Sequence, residues 1–434
     1  MELEENQRYK TSTSRLKLKN NQYELIKEMS HLSKNLYNFT LYTVKQHFFQ
    51  TNKFLKYEKA YHEVKSNENY KLLPSQVAQQ TMKTVDRSFR SFFGLLKKKK
   101  EGTYNRIANI PHYLKKDGHH VLLFTPNHIR INYETNKVKL TINKILKKKY
   151  NIKEFEVDLP HYLKEENKIK EIRIVPIYGG KFFKVQFVYL YEFDDEKFIS
   201  NNNNYISIDL GIDNLLTVYD DKNKISKIID GKYIKSVNRY FNKEIGRCKS
   251  LVEKINKQKT SKKIQNLYQK RNNIFQNAFH LISKRLLQYC DQNDIQKIVF
   301  GYNKEWKQNI NIGKHNNQNF VQIPYRRLIS YVEYKAEEYN IDVILQEESY
   351  TSKCDALMNE EVKKHEEYLG RRVSRGLFKS SNGSVLNADL NGAMNILRKC
   401  RLESHENEIE SSGAVIVPTK IRLSDLKESK LFVE

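Results

Sequence analysis

The chain predicts a mixed α/β fold joined to separate all-β and helical parts, and three observations lead there. Tyr205-Ile206-Ser207-Ile208-Asp209-Leu210-Gly211-Ile212-Asp213 reads as a buried β-strand carrying a carboxylate. After it, strand-like and helix-like segments alternate to residue 400, whereas residues 119–193 break into short strands and residues 23–93 carry helical spacing.

The elements follow in order. Arg15-Leu16-Lys17-Leu18 has the alternation of a short strand. Over residues 23–48, Leu25, Ile26, Met29, Leu32, Leu36 and Phe39 share one stripe, which predicts a helix. Pro74 and Ser75 suit the start of a second helix running to Phe93, and the Lys97–Lys100 charge run is expected to be a solvated loop. Apolar runs at 121–124, 138–141, 170–176 and 182–189 predict an antiparallel barrel or sheet, closed by the Asn-rich run at 201–204. Beyond it, strands at 206–212, 215–219 and 225–229 lead into a long basic helical hairpin over 233–292. A strand at 295–300, a helix at 325–339, a strand at 341–348 and an apolar-striped helix from Asn387 complete the series. The order β-β-β-α-β-α-β-α is that of an RNase H-like sheet, a fold that clusters carboxylates at the ends of its strands.

The charge balance narrows the chemistry. The 434 residues include 77 Lys+Arg against 51 Asp+Glu, a formal net charge of +26, which points to a polyanionic partner. No stretch approaches the ~18–20 consecutive apolar residues of a membrane-spanning helix. The start, Met1-Glu2-Leu3-Glu4-Glu5-Asn6, is polar and acidic rather than a secretory signal, so the cytoplasm, in association with the nucleoid, is the expected location. Cys248, Cys290, Cys354 and Cys400 are scattered with no Cys-x-x-Cys, which encodes neither a disulfide framework nor a zinc ribbon.

A carboxylate on an apolar strand is costly to bury unless something pairs it. Asp209 on its strand and Asp389, in Asn387-Ala388-Asp389-Leu390-Asn391-Gly392-Ala393-Met394-Asn395-Ile396, therefore suggest a shared divalent-metal site acting on a phosphodiester backbone. Each has an ordinary alternative: a strand-end turn for Asp209, a helix cap for Asp389.

Gln346-Glu347-Glu348-Ser349-Tyr350-Thr351-Ser352-Lys353-Cys354, Gly370-Arg371-Arg372-Val373-Ser374-Arg375-Gly376-Leu377-Phe378 and the run from Asn387 to Ile396 resemble the TnpB (OrfB-type) proteins of insertion sequences, relatives of the type V CRISPR effector nucleases. The similarity extends to Leu73-Pro74-Ser75-Gln76-Val77-Ala78-Gln79-Gln80. It implies an RNA-guided DNA endonuclease with an RNase H-like (RuvC) nuclease domain over 201–348 and 387–400, and an N-terminal β-barrel wedge domain over 1–22 and 112–200. It further implies a helical recognition insert over 23–111, a target-nucleic-acid-binding insert over 349–386, and a tail over 401–434 that its Glu-rich start makes a flexible end. Guide RNA from the element's end and a double-stranded DNA target are the implied partners, with no membrane and a single protein copy. Arg371, Arg372, Arg375, Lys353, Gln76 and Gln80 are the implied nucleic-acid contacts; a solvated basic face is the alternative for the arginines.

Two departures stand out. Where many such proteins carry a catalytic Glu after the strand matching Ile298-Val299-Phe300, this chain has Gly301 and Tyr302, with Glu305 displaced into a polar loop beside the single Trp306. Glu348 on the next strand is the substitute, with Glu347 on the opposite face as the competitor and a surface salt bridge as the alternative role. The metal and catalytic set is then Asp209, Glu348 and Asp389 around two Mg²⁺ ions, with Mn²⁺ a possible substitute. Relatives also hold two Cys-x-x-Cys pairs where only Cys354 remains, so no zinc is expected and the insert should fold by packing Leu357, Leu369, Leu377 and Phe378. Two other functions stay open: a non-cleaving RNA-guided DNA-binding repressor, and a DNA-joining transposase.

Overall fold

In the computed structural model, residues 7–192, 203–257, 260–303, 323–403 and 417–427 are described. Contacts divide the chain into two compact units, Met1–Asp195 and Glu196–Glu434. Glu305 and Trp306 lie outside the described residues. Among the described residues no helix is long and apolar enough to cross a membrane.

In the first unit, β1 (Gln7–Arg15) is followed by four helices, Asn20–Thr51, Tyr57–Val64, Glu68–Leu72 and Ser75–Lys100. Six strands and the short helix Lys144–Lys149 come next: β2 (Leu122–Phe124), β3 (Ile129–Asn132), β4 (Lys137–Leu140), β5 (Phe155–Asp158), β6 (Ile169–Ile177) and β7 (Phe182–Glu192). The expected barrel or sheet is divided among the described residues between a four-stranded sheet in the order β1-β7-β6-β2 and a three-stranded one, β3-β4-β5, both antiparallel. The stripe of the long helix enters a core with both sheets through Leu25, Ile26, Met29, Leu32 and Leu36, but Phe39 is left exposed. Phe92 and Phe93 pack partly buried against a cluster that includes Leu41, Val44 and Phe89.

Two expectations in this unit are corrected. The first strand ends at Arg15, where the reading placed its beginning; Gln7–Arg15 lacks apolar alternation because it is an edge strand, specified by its pairing along β7. Lys97–Lys100 is the last turn of the Ser75–Lys100 helix rather than a loop. Lysine is a good helix former, and cations at a helix C-terminus meet the negative end of its dipole.

The second unit is built on a mixed sheet in the order Asp342–Gln346, Lys297–Gly301, Tyr205–Leu210, Asn214–Asp220, Ile225–Asp230 and Thr419–Ile421. Its strands are β8 (Tyr205–Leu210), β9 (Asn214–Asp220), β10 (Ile225–Asp230), β11 (Lys297–Gly301), β12 (Asp342–Gln346) and β16 (Thr419–Ile421); β13 (Arg371–Ser374), β14 (Leu377–Lys379) and β15 (Val385–Asn387) form a separate small antiparallel sheet. β8, β9 and β10 are an antiparallel meander, and β11 and β12 add in parallel beside β8. On one face, the apolar residues of the Lys262–Gln292 and Tyr325–Ala336 helices fill the core with Phe275, Phe279, Ile282, Leu286, Leu328 and Val332. The opposite face takes the Ala388–Glu403 helix through Leu390, Ala393, Met394, Ile396 and Leu397.

The expected flexible end is corrected for residues 417–427 alone, since 404–416 and 428–434 lie outside the described residues. β16 pairs in parallel with β10, Ile421 and Leu426 are buried in the main core, and Arg285 Nε donates to the Leu426 carbonyl at 2.9 Å. The Glu-rich start of the tail hid this, because two apolar side chains and an open strand edge are enough to dock a short segment.

Candidate active site

Alternation along β8 sorts its side chains by face. Ile206, Ile208 and Leu210 enter the core under the Lys262–Gln292 helix. Tyr205, Ser207 and Asp209 therefore point to the Ala388–Glu403 helix, and the Ser207 hydroxyl donates to the Ala393 carbonyl at 2.7 Å. Asp209 is then brought against Gly392, where an added Cβ would stand 3.1 Å from Asp209 Oδ2. That glycine is a close-approach position, and it leaves a cradle for the carboxylate.

Asp389 is the second residue of its helix, and Asn387 does the capping: its Oδ1 accepts from the backbone N–H of Asp389 at 2.9 Å and of Leu390 at 3.1 Å. The Asp389 carboxylate is thus released from the cap role. It accepts from Asn214 Nδ2 at 2.7 Å, and the Arg372 guanidinium lies 3.5 Å away.

The expected strand over 341–348 ends at Gln346, so Glu348 lies two residues beyond β12, and Gly301 explains how it reaches the site from there. Gly301 follows Phe300, the partner of Ile208, so it is the β11 residue level with Asp209, and it pairs with Gln346 on β12. A Cβ at 301 would fall 2.9 Å from Glu348 Oε2 and 2.4 Å from Ile396 Cδ1. The Glu348 side chain runs through space that any larger residue at 301 would need. Asn303 Oδ1 accepts from the Glu348 backbone N–H at 3.2 Å, and Thr351 Oγ1 donates to the Glu348 carbonyl at 2.8 Å. Glu347 is turned outward, bonded by Lys399 and Ser349; these bonds outweigh burial and hold its carboxyl below the usual range.

The electrostatics tie the three acids together. Burial, then the charges of Asp389 and Glu348, push Asp209 up to about 8, with Arg372 pulling weakly the other way. Asp209 is half-buried. Burial, then the charge of Glu347, raises Glu348 to about 7. Asp213, by contrast, is ion-paired with Lys235 and Arg375; burial opposes its ionisation, but those cations hold its carboxyl below the usual range.

The remaining sequence candidates disperse. Arg371 is exposed on β13 opposite Lys379. Lys353 is exposed with its ammonium 5.6 Å from the Tyr368 ring centre. Gln76 and Gln80, in the first unit, lie one turn apart and partly buried on the Ser75–Lys100 helix. Sequence reasoning missed Asn214, which no motif marks, and the approach of Arg372 to the carboxylates, which its basic cluster marked only as a nucleic-acid contact.

Among the described residues, no group of three or more His, Cys, Asp or Glu side chains is gathered closely enough to hold a metal ion. The donor set nevertheless fits a hard cation. Asp209 and Glu348 have raised proton affinity, Asp389 adds a third carboxylate, and Gly392 leaves room beside Asp209; magnesium takes oxygen ligands and needs only one or two carboxylates because it keeps several waters.

Comparisons with known proteins agree with this architecture. A family profile described as "Probable transposase" (OrfB_IS605) matches residues 188–307, and one described as "Cas12f1-like, TNB domain" matches residues 325–396. The chain is 37% identical over 91 residues to the "TnpB-like protein ORF457" of Acidianus two-tailed virus; the match spans 20% of this chain and only 18% of that protein. The fold is similar to the protein in the "Cas12f1-sgRNA-target DNA complex", with a TM-score of 0.54 at 14% identity over 87% of this chain and 83% of that one. Two stretches of the second unit thus match transposase and Cas12f1-like family models, and the mixed α/β fold is similar to that of the Cas12f1 chain.

Proposed function

We propose that the chain is an RNA-guided DNA endonuclease associated with a transposable element, with Asp209, Glu348 and Asp389 as its hydrolytic centre. The observation that carries the proposal is geometric: Asp209 lies against Gly392 on the helix that carries Asp389 in its first turn, and Glu348 reaches Gly301, which is level with Asp209 on the adjacent strand. The similar solved structure is a complex with guide RNA and target DNA, and the net charge of +26 suits both polyanions. Guide RNA from the element's end would supply sequence specificity by base pairing, while the protein reads a short duplex motif beside the target.

Asp209, Glu348 and Asp389 would hold two Mg²⁺ ions, for which Mn²⁺ can substitute; when bound, such ions activate water and neutralise the leaving oxygen. The protein's own groups act around that chemistry. Asn214 orients the Asp389 carboxylate, Gly392 and Gly301 leave space for the Asp209 and Glu348 side chains, and Arg372 is a cation available to a scissile phosphate.

The test is cleavage of target duplex by the guide-loaded protein with Mg²⁺. Asp209→Ala and Asp389→Ala are each expected to abolish cutting with RNA and DNA binding intact, and full cutting by either excludes the assignment. A second reading, a non-cleaving RNA-guided DNA-binding repressor, is favoured by one observation: the three acids do not close round a common point. Target binding with no cutting by the wild-type protein, in Mg²⁺ or Mn²⁺, selects it.

A further inference from the structure

The segment 349–386 folds differently from the apolar packing expected of it. Phe378 is buried and Leu357 partly so, but Leu369 and Leu377 are largely exposed, so these four side chains alone cannot form its core. Beside Ala356, Phe378 and Leu386, which join the core under the Ala388–Glu403 helix, it holds two buried acids, Asp355 with no exposure and Glu360 with 6%. Asp355 Oδ2 accepts from Ser380 Oγ at 2.7 Å, the Ser381 backbone N–H at 2.8 Å and Ser381 Oγ at 3.3 Å, while its Oδ1 accepts from the Leu357 N–H at 3.2 Å. Glu360 accepts from the Asp355 N–H at 2.6 Å and the Leu369 N–H at 3.0 Å. Four donors on one carboxylate and two on the other supply the hydrogen bonds that a buried charge demands.

The same segment is bonded to the helix that carries Asp389. Asn391 Nδ2 and Asn395 Nδ2 both donate to the Cys354 carbonyl, at 2.8 and 2.7 Å, and Asn391 Oδ1 accepts from the Ala356 N–H at 3.0 Å. Asn395 Nδ2 also reaches the Thr351 carbonyl at 2.9 Å, and Arg398 Nη1 donates to the Glu360 carbonyl at 2.9 Å. All three helix side chains are buried. Asp355 thus bridges two parts: the helix, through its neighbours Cys354 and Ala356, and the turn after β14, through Ser380 and Ser381. β14 pairs with β13 so that Arg372 lies opposite Phe378, and Arg372 is the residue beside Asp389.

We propose that Asp355, supported by Glu360, is a positioning residue for the nuclease site: a metal-free carboxylate staple that fixes the β13–β14 hairpin to the Ala388–Glu403 helix and so keeps Arg372 at Asp389. The function assigned to the staple rests on the endonuclease reading above, but the staple itself can be tested without cleavage. A carboxamide cannot reproduce it, because Asp355→Asn would set an amide N–H against the Ser381 N–H or the Leu357 N–H.

The experiment measures hydrogen exchange and cleavage on the full-length protein carrying Asp355→Asn, with Ser380→Ala plus Ser381→Ala as a milder second variant. In the protein without nucleic acid, exchange of the Arg371–Lys379 amides should quicken about tenfold or more while β8 and β11 keep their protection. In the loaded protein, the cleavage rate at saturating target should fall about tenfold or more with target affinity unchanged. In an Arg372→Ala background, Asp355→Asn should cost little more, since both act through one group. Hairpin exchange at the wild-type rate in both variants overturns the staple. A full additional loss in the Arg372→Ala background overturns its action through Arg372. Faster hairpin exchange in a protein whose wild type cuts nothing leaves the staple standing and overturns the endonuclease reading instead.

Discussion

Glycine at 301 and 392 decides what the carboxylates can do. Gly301→Ala would set a methyl group against Glu348 Oε2 and Ile396 Cδ1. Both are the far ends of flexible side chains, so the fold should survive at a cost of about 1–3 kcal/mol while Glu348 is displaced. A melting temperature lower by several degrees beside a cleavage rate down tenfold or more is the expected result. Glu348→Gln should be inactive and Glu347→Gln close to wild type; the opposite ranking in a cleavage assay would exchange their roles. Asp209 makes a third prediction, on stability. Its pKa in the folded chain, about 8, is above its ordinary value, so the folded state holds a proton that the unfolded chain has lost between about pH 4 and 8. Without metal, stability attributable to this group therefore falls as pH rises through that window, by up to about 1.4 kcal/mol per unit. In chelator at pH 8, Asp209→Asn should melt higher than wild type by several degrees, and a lower melting temperature would contradict the assigned strain.

The helix from Ala388 to Glu403 and the strand β8 form the working pair of elements. Ser207 joins them by one buried hydrogen bond, and Asn387 sets where the helix begins. Replacing Asn387 with Ala should cost about 1 kcal/mol in stability, the usual cost of a lost cap, and should lower cleavage because Asp389 sits in the first turn. Calorimetry and a cleavage assay on the same preparation check both halves. At the other edge of the sheet, ending the chain at residue 416 removes β16 with the buried Ile421 and Leu426. The β10 amides, Ile225 to Asp230, should then exchange faster, and unchanged protection there would show that the added strand contributes nothing.

Charge governs the behaviour of the chain as a whole. With a net +26, association with RNA or DNA should release counterions, so affinity should fall steeply and log-linearly between about 50 and 200 mM salt. Filter binding across that range checks it, and a flat response would remove phosphate contacts as the main source of affinity. The two units have independent cores, so each is expected to show its own hydrogen-exchange behaviour.

Much of the second unit was legible in the amino-acid order. The period-2 run of β8, the helical spacing after Asn387 and the succession of strands and helices identified most strands of the sheet and the helix across it, because backbone periodicity and burial are local properties written residue by residue. Polar or short segments were not legible: β1, the last turn at Lys97–Lys100 and the docked β16 take their structure from partners distant in sequence. The same holds for the site. Asp209 and Asp389 could be named as candidates from their own neighbourhoods, and alternation said only that Glu347 and Glu348 face opposite ways, with Glu348 the preferred one. Only the tertiary structure turned Glu347 toward Lys399, gave the cap to Asn387 in place of Asp389, opened the space beside Gly301 and brought Arg372 to the acids. Within residues 349–386 it kept Phe378 in the core, left Leu369 and Leu377 exposed, and added the hydrogen bonds of Asp355 and Glu360. Local order determines which residues can form a strand or a helix, whereas the approach of charged side chains depends on which chain segments pack together, and no single stretch of the sequence carries that information.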